Sequence, residues 1–305
     1  MIYDDFRDAV FENIYEAALK DKNIIVLLGD QGAQTFDKFR KHIPEQLINV
    51  GASEQSLMGI ASGLARNGKK VFIHGITPFV TLRCFEQINL DIGYSNLPIT
   101  IIGIGTGISY SHEGVTHHAT QDVAVMKSIP NLTIYNPSDS VCLSRIIEDI
   151  LVHPKLSYIR FDHSPLPNIR IDCDLKGFEV LKEGRKVFIA TGNMVHTALE
   201  LYKSLRDSIN IPHGARLVFN VGVIDLYRLP INPELKKHID GKEVYVFEEH
   251  LTGGFSSSVA DFILDNNLNV KFKRFVIKDY VREYGDRQDI LNKLGLSKEQ
   301  LVKEI

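Results

Sequence analysis

At 305 residues and 34.4 kDa the chain has room for two domains of ordinary size, each able to bury a core. Its formal net charge of −3, with lysines and arginines scattered, argues against nucleic acid or an anionic membrane as partner. The odd cysteine count (Cys84, Cys142, Cys173), without Cys-x-x-Cys spacing, suits a reducing cytoplasm; the start Met1-Ile2-Tyr3-Asp4-Asp5 has no secretion-signal character, and no apolar run approaches a membrane span, so a soluble cytoplasmic protein is expected.

A helix from Phe6 to Leu19 leads to an apolar strand, Ile24 to Leu28. The following Gly29-Asp30-Gln31-Gly32 is superficially like a cation loop but lacks the oxygen-ligand set such a site needs. Leu47, Ile48 and Val50 predict a buried strand, Gly51 allows a sharp exit, and Ser53 is a good N-cap for a helix with the 3.6-period set Leu57, Ile60, Ala61 and Leu64, closed by Gly68. Gly59 and Gly63 expose helix backbone for close approach by another element. This arrangement delivers one carboxylate, Glu54, to the first helical turn, where the helix dipole alone would favour it.

Next come a strand from Lys70 to His74, the turn and helix Thr77 to Ile88, and a strand from Ile99 to Ile104. The loop Gly105 to His118 is the chain's richest in polar groups, and it sits at the C-terminal end of a parallel-type strand, where open α/β sheets place ligands. Its His112, His117 and His118 lack the i, i+4 spacing and third ligand of a metal site. A helix bearing Gln121 and Asp122 ends before Pro130, and strands at Leu132–Tyr135 and Ser157–Phe161 follow. The prolines of His163-Ser164-Pro165-Leu166-Pro167-Asn168 mark a break. A smaller unit then comprises strand Lys186–Thr191, helix Met194 to Leu205, strands Arg216–Val221 and Glu243–Phe247, and helix Phe255 to Leu264. The expected class is α/β with parallel sheets: a first domain over 1–164, a linker over 165–180 and a second domain over 181–305. No Gly-x-Gly-x-x-Gly opens a helix after a strand, which weakens a dinucleotide-binding reading.

Gly51-x-x-Glu54-Gln55, its small-residue helix and Lys69-Lys70-Val71-Phe72 resemble the pyrimidine-binding domain of transketolases and 1-deoxyxylulose-5-phosphate synthases. Thr77 to Ile88 is similar to the family's aromatic-containing turn and helix, and His112-Glu113-Gly114-Val115-Thr116-His117-His118 to its Gly-Glu-Asp-Gly-x-Thr-His-Gln segment. Ala190 to Val195, Glu248 to Phe255, and the tail Gly285-Asp286-Arg287 to Glu299 resemble the transketolase C-terminal domain. The resemblance covers essentially the whole chain, in the family's order. It implies that Glu54, with Gln55 beside it, meets N1′ of the aminopyrimidine of thiamine diphosphate, and that Phe79 stacks on the ring. Ile76 stands where a second Phe is common. His117 would bind substrate and serve catalysis beside Glu54, while Glu113 would replace an Asp that touches substrate hydroxyls.

The family's Gly-Asp-Gly…Asn motif, which holds the diphosphate and Mg²⁺, does not occur here. The resemblance therefore implies the C-terminal half of a split transketolase moving a two-carbon ketol unit, with Mg²⁺ on an N-terminal-half partner and an α2β2 assembly whose active site forms at the interface. Alternatives are a subunit like deoxyxylulose phosphate synthase, the β subunit of a 2-oxo acid dehydrogenase, or a non-catalytic scaffold. The family's terminal-phosphate contacts fall on Gln34, Gly105 and His163; a first Arg of the strand-end motif survives as Arg160, but residues 103–111 contain no cation. Because Arg is the preferred phosphate partner, an acceptor without terminal phosphate is expected.

Overall fold

The computed structural model describes residues 5–30, 32, 35–207 and 220–305. The first unit runs α1 (Phe6–Ala18), β1 (Ile24–Leu28), α2 (Thr35–His42), β2 (Leu47–Asn49), α3 (Glu54–Arg66), β3 (Lys70–Ile76), α4 (Thr77–Val80), α5 (Phe85–Gln87), β4 (Ile99–Ile104), α6 (Asp122–Met126), β5 (Thr133–Tyr135), α7 (Ser140–Val152) and β6 (Ser157–Phe161). The second runs β7 (Phe178–Lys182), β8 (Lys186–Ala190), α8 (Met194–Asp207), β9 (Val221–Leu226), β10 (Arg228–Leu229), α9 (Lys236–Ile239), β11 (Glu243–Phe247), α10 (Phe255–Asp265), β12 (Lys271–Phe275), α11 (Arg287–Leu294) and α12 (Lys298–Glu304).

The first sheet has seven strands in the order β10-β5-β6-β4-β3-β1-β2, parallel except for β10. Its central strands are apolar runs because both faces are covered. In β1 the side-chain alternation sends Ile25 and Leu27 into one cluster with Leu57, Met58 and Ile101, and Ile24, Val26 and Leu28 into another with Phe11, Phe36 and Leu143. The second sheet, β12-β11-β8-β9-β7, is parallel apart from β7. The α/β class with two sheets is thus as expected from the alternation of elements.

Several local expectations need correction. β2 lies at the sheet edge and is only half-buried, because nothing pairs beyond it among the described residues. The Ser53 hydroxyl makes no capping bond; at φ −145° and ψ 60° only its carbonyl joins the helix, accepting from Leu57 N–H at 2.9 Å. Of the strand expected at Arg216–Val221, residues 216–219 lie outside the described residues, and the observed strand starts at Val221. The segment expected as linker ends earlier than 180, since Phe178, Glu179 and Val180 belong to β7.

The two units are joined by more than a tether. β10 returns to pair antiparallel with β5, Arg228 opposite Tyr135 and Leu229 opposite Ile134. Arg170, from the connection, is 3 % exposed at its side chain and binds Asp139 of the first unit (2.9 Å), Glu179 of β7 (2.6 Å) and Asp225 of β9. Replacing one member of a buried ion cluster strands the others without a partner. Arg170→Met is expected to cost about 3–5 kcal/mol, read from the shift in the denaturant midpoint.

Candidate functional site

Glu54 sits just beyond the sheet edge. β2 ends at Asn49, Gly51 turns the chain at φ +74°, a conformation side chains rarely take, and the carboxylate enters a covered position at the start of α3, 5 % exposed. Its Oε2 accepts from Arg83 Nη1 at 3.0 Å, and Arg83 is the only donor reaching it among the described residues. Arg83 lies on the turn after α4, and its guanidinium carbon is 3.9 Å from the Phe79 ring centroid, a cation–π contact.

The other face of the cluster belongs to the polar loop after β4. The His117 ring meets Phe79 edge-on with centroids 5.0 Å apart, and its Nδ1 lies 2.9 Å from Thr116 Oγ1. Tyr110 packs 5.9 Å from His117 and 4.5 Å from His163, which follows β6. Gly105, at φ +90°, makes this possible: a Cβ there would lie 2.3 Å from the Tyr110 ring. Glu54, Arg83, Phe79, His117, Tyr110 and His163 therefore form a continuous chain of contacts, drawn from the carboxyl ends of β2, β3, β4 and β6.

The electrostatics keep the neighbours in one protonation state. Burial, helped by the Glu54 charge, pushes the Cys84 thiol up to about 12, so it is no nucleophile at neutral pH. Burial likewise pushes Tyr110 up to about 12 against the opposing pull of Arg7, leaving a protonated hydroxyl able to donate. Arg7, in the first turn of α1 and paired with Asp5 at 3.1 Å, brings positive charge to this end of the cluster. His118 is 6 % exposed, has no hydrogen-bond partner on either ring nitrogen among the described residues, and is held below its ordinary value by burial.

The remaining expected residues are less central. Gln55 is exposed, its Nε2 donating to the Arg83 carbonyl at 3.2 Å, and Ile76 is half-buried against the Phe72 cluster. Glu113 is exposed on the loop, held by its backbone N–H to the Tyr110 carbonyl at 3.2 Å. Gln34 lies outside the described residues.

Arg160 needs correction as a substrate contact. At 2 % exposure its Nε pairs with Asp122 Oδ2 at 3.1 Å and its Nη2 donates to the Ala119 carbonyl, so the guanidinium is committed beneath the loop. Asp122 also accepts from Tyr158 at 2.6 Å and faces His250 of the second unit. Burial raises its pKa, but Arg160, then His250 and Tyr158, more than offset this and hold it below the ordinary value. A depressed carboxylate stabilises the fold above its unfolded value and loses that contribution as pH falls through the folded one. The stability difference between the wild type and Asp122→Asn should therefore be constant above pH ~5 and shrink below pH ~4 in acid-unfolding curves.

Arg83, Tyr110 and Arg7 were not singled out from sequence. Arg83 had a usable signal, its four-residue spacing from Phe79 on a tight turn. Tyr110 and Arg7 had none, because a loop fold and a distant helix bring them in. Chemically, a buried carboxylate beside a partly exposed aromatic ring suits a flat heteroaromatic group carrying a ring nitrogen and an amino donor.

Comparison with known proteins gives the same picture. Residues 4–168 match the family model for the transketolase pyrimidine-binding domain, and residues 177–301 that for the transketolase C-terminal domain. The chain is 32 % identical to a 6-deoxy-6-sulfo-D-fructose transketolase subunit of a Clostridium species, over 97 % of this chain and 92 % of that protein. It is 28 % identical to an apulose-4-phosphate transketolase subunit of Phocaeicola vulgatus, over 97 % and 95 % of the two chains. A solved split-gene transketolase, an inactive β4 tetramer, superposes with a TM-score of 0.80 at 28 % identity, over 98 % of this chain and 95 % of that one.

Proposed function

The chain belongs to the transketolase family, and on that premise we propose that Glu54, Phe79 and His117 form its half of a thiamine diphosphate site, completed by an N-terminal-half subunit that holds the diphosphate and Mg²⁺ in an α2β2 enzyme. One observation carries the reading: a buried carboxylate, with Arg83 its one donor among the described residues, stands beside an aromatic ring that contacts the loop histidine. The bound cofactor supplies an electron sink for cleavage of the bond between a ketose's carbonyl carbon and its neighbour.

Within that chemistry Glu54 holds a proton at the aminopyrimidine ring nitrogen, where its burial strengthens the shared hydrogen bond. Phe79 fixes the ring plane by stacking. Arg83 must release one carboxylate oxygen, or share it, for that contact to form. His117, steadied by Thr116 and by the rings of Phe79 and Tyr110, positions substrate hydroxyls, and exposed Glu113 reaches the same space.

The expected phosphate-free acceptor is not retained. Its premise was a loop without cations, yet Arg7 brings charge to Tyr110 from α1, and His163 stands on the other side of that ring. The relatives' names specify sugars ending in phosphate or carrying a sulfo group. The substrate proposed is a ketose or aldose with a terminal anion, contacted by Arg7 and His163. With the reconstituted pair, kcat/KM should favour an acceptor bearing the anion over its neutral match, and Arg7→Ala should remove about 10- to 100-fold of that preference, as expected for one charge-assisted hydrogen bond. Equal kcat/KM on the two acceptors would reject the anion site; a preference untouched in Arg7→Ala would reject Arg7 alone.

A further inference from the structure

Cys142 and Cys173 are 31 positions apart in sequence, yet their sulfurs lie 2.9 Å from each other, both buried. They come from different structural contexts. Cys142 is the third residue of α7, its backbone N–H held by the capping Asp139 carboxylate at 2.9 Å. Cys173 lies on the irregular connection between the two units, between exposed Asp172 and exposed Asp174. The same connection carries Arg170, whose charge acts on both thiols and whose side chain binds Asp139.

We propose that Cys142 and Cys173 are a reversible dithiol–disulfide site, which a peroxide closes to lock the interdomain connection onto α7. A disulfide bond is about 2.05 Å long, so the sulfurs need to approach by less than about 1 Å, with no rearrangement of fold. The reaction is ordered by environment. The Cys142 thiol lies against the Cys173 sulfur and, with the Leu175 backbone, the Tyr227 hydroxyl and the Arg170 charge, favours its thiolate against the opposing effect of burial, whereas burial keeps Cys142 protonated. The Cys173 thiolate attacks one peroxide oxygen, the O–O bond breaks, hydroxide leaves, and a sulfenic acid remains. The Cys142 sulfur then attacks Cys173, forming the S–S bond; the sulfenic hydroxyl leaves and takes the Cys142 proton as water. One peroxide is reduced and two thiols are oxidised. Cys84, deep in the first unit with its thiol raised by burial, has no role in this.

The test treats the whole chain with equimolar hydrogen peroxide, quenches, denatures and alkylates, then counts free thiols and maps peptides by mass spectrometry. The expected result is a fall from three free thiols to one, with Cys84 alkylated, Cys142 linked to Cys173, and full return after a dithiol reductant. Closure should also slow proteolytic cleavage within residues 163–177 on the order of 10²-fold, by the loop-closure constraint. Cys142→Ala should show neither the link nor the slowing, and Cys173→Ser, altered only on the irregular segment, guards against a folding defect in the first variant. Three free thiols after treatment, a link involving Cys84, or Cys173 passing to sulfinic acid without a link would each overturn the proposal.

Discussion

Purified alone and supplied with thiamine diphosphate, Mg²⁺ and a ketose donor, the chain should give no cofactor-dependent turnover, and addition of an N-terminal-half subunit should create it. The reason is the donor inventory. The described site offers one buried carboxylate and an aromatic ring for the pyrimidine end, and the cation beside them, Arg83, is already engaged with Glu54. The sequence contains no Gly-Asp-Gly…Asn pair to hold a diphosphate through a divalent ion. Steady-state assay of each component and of the mixture decides it. Turnover by the single chain would remove the need for a partner and with it the interface active site.

In the assembled enzyme, Glu54→Gln should still take up cofactor but lose at least ~10²-fold in kcat, the range for a positioned proton-transfer group. The amide keeps the shape and can still face Arg83, but it cannot hold a negative charge against the ring nitrogen. If the diphosphate grip resides on the proposed partner it should be spared, so titration calorimetry would show a modest change in Kd beside a large fall in kcat. Near-normal kcat in the variant would reduce Glu54 to a helix-terminus carboxylate that happens to be covered. Loss of binding together with activity would mean that its pairing with Arg83 maintains the loop.

How far these roles could be read from sequence depended on whether the relevant physics was local. β4 and β6 were legible to the residue: β4 is largely isoleucine between Pro98 and Gly105, and β6, though it carries Ser157 and Arg160, is centred on β-branched and aromatic residues. The position of Glu54 at the head of α3 followed from a glycine turn and helical periodicity. The Phe79–His117 contact was not read from the sequence: the resemblance gave the two residues separate roles, and no periodicity brings residues 38 apart together. Arg160 shows the opposite failure: a motif match suggested a substrate contact, while Asp122 and Ala119 claim the side chain. β7 and β10 escaped notice because a five-residue strand of mixed polarity and a two-residue strand carry too little pattern.

That two-residue strand sets a limit on how the molecule can be cut. Without Arg228–Leu229 the hydrogen-bonding edge of β5 would be bare, and an unpaired edge invites pairing with other chains. The apolar cluster on that side is shared as well, running from Ile134 and Leu156 through Leu229 and Leu235 to Phe255 and Val259. A chimera that exchanges the C-terminal module among relatives therefore has to bring a strand and a core surface matched to its host. Fusion junctions placed in the apparent linker should yield aggregating hybrids unless residues facing β5 are transplanted with it.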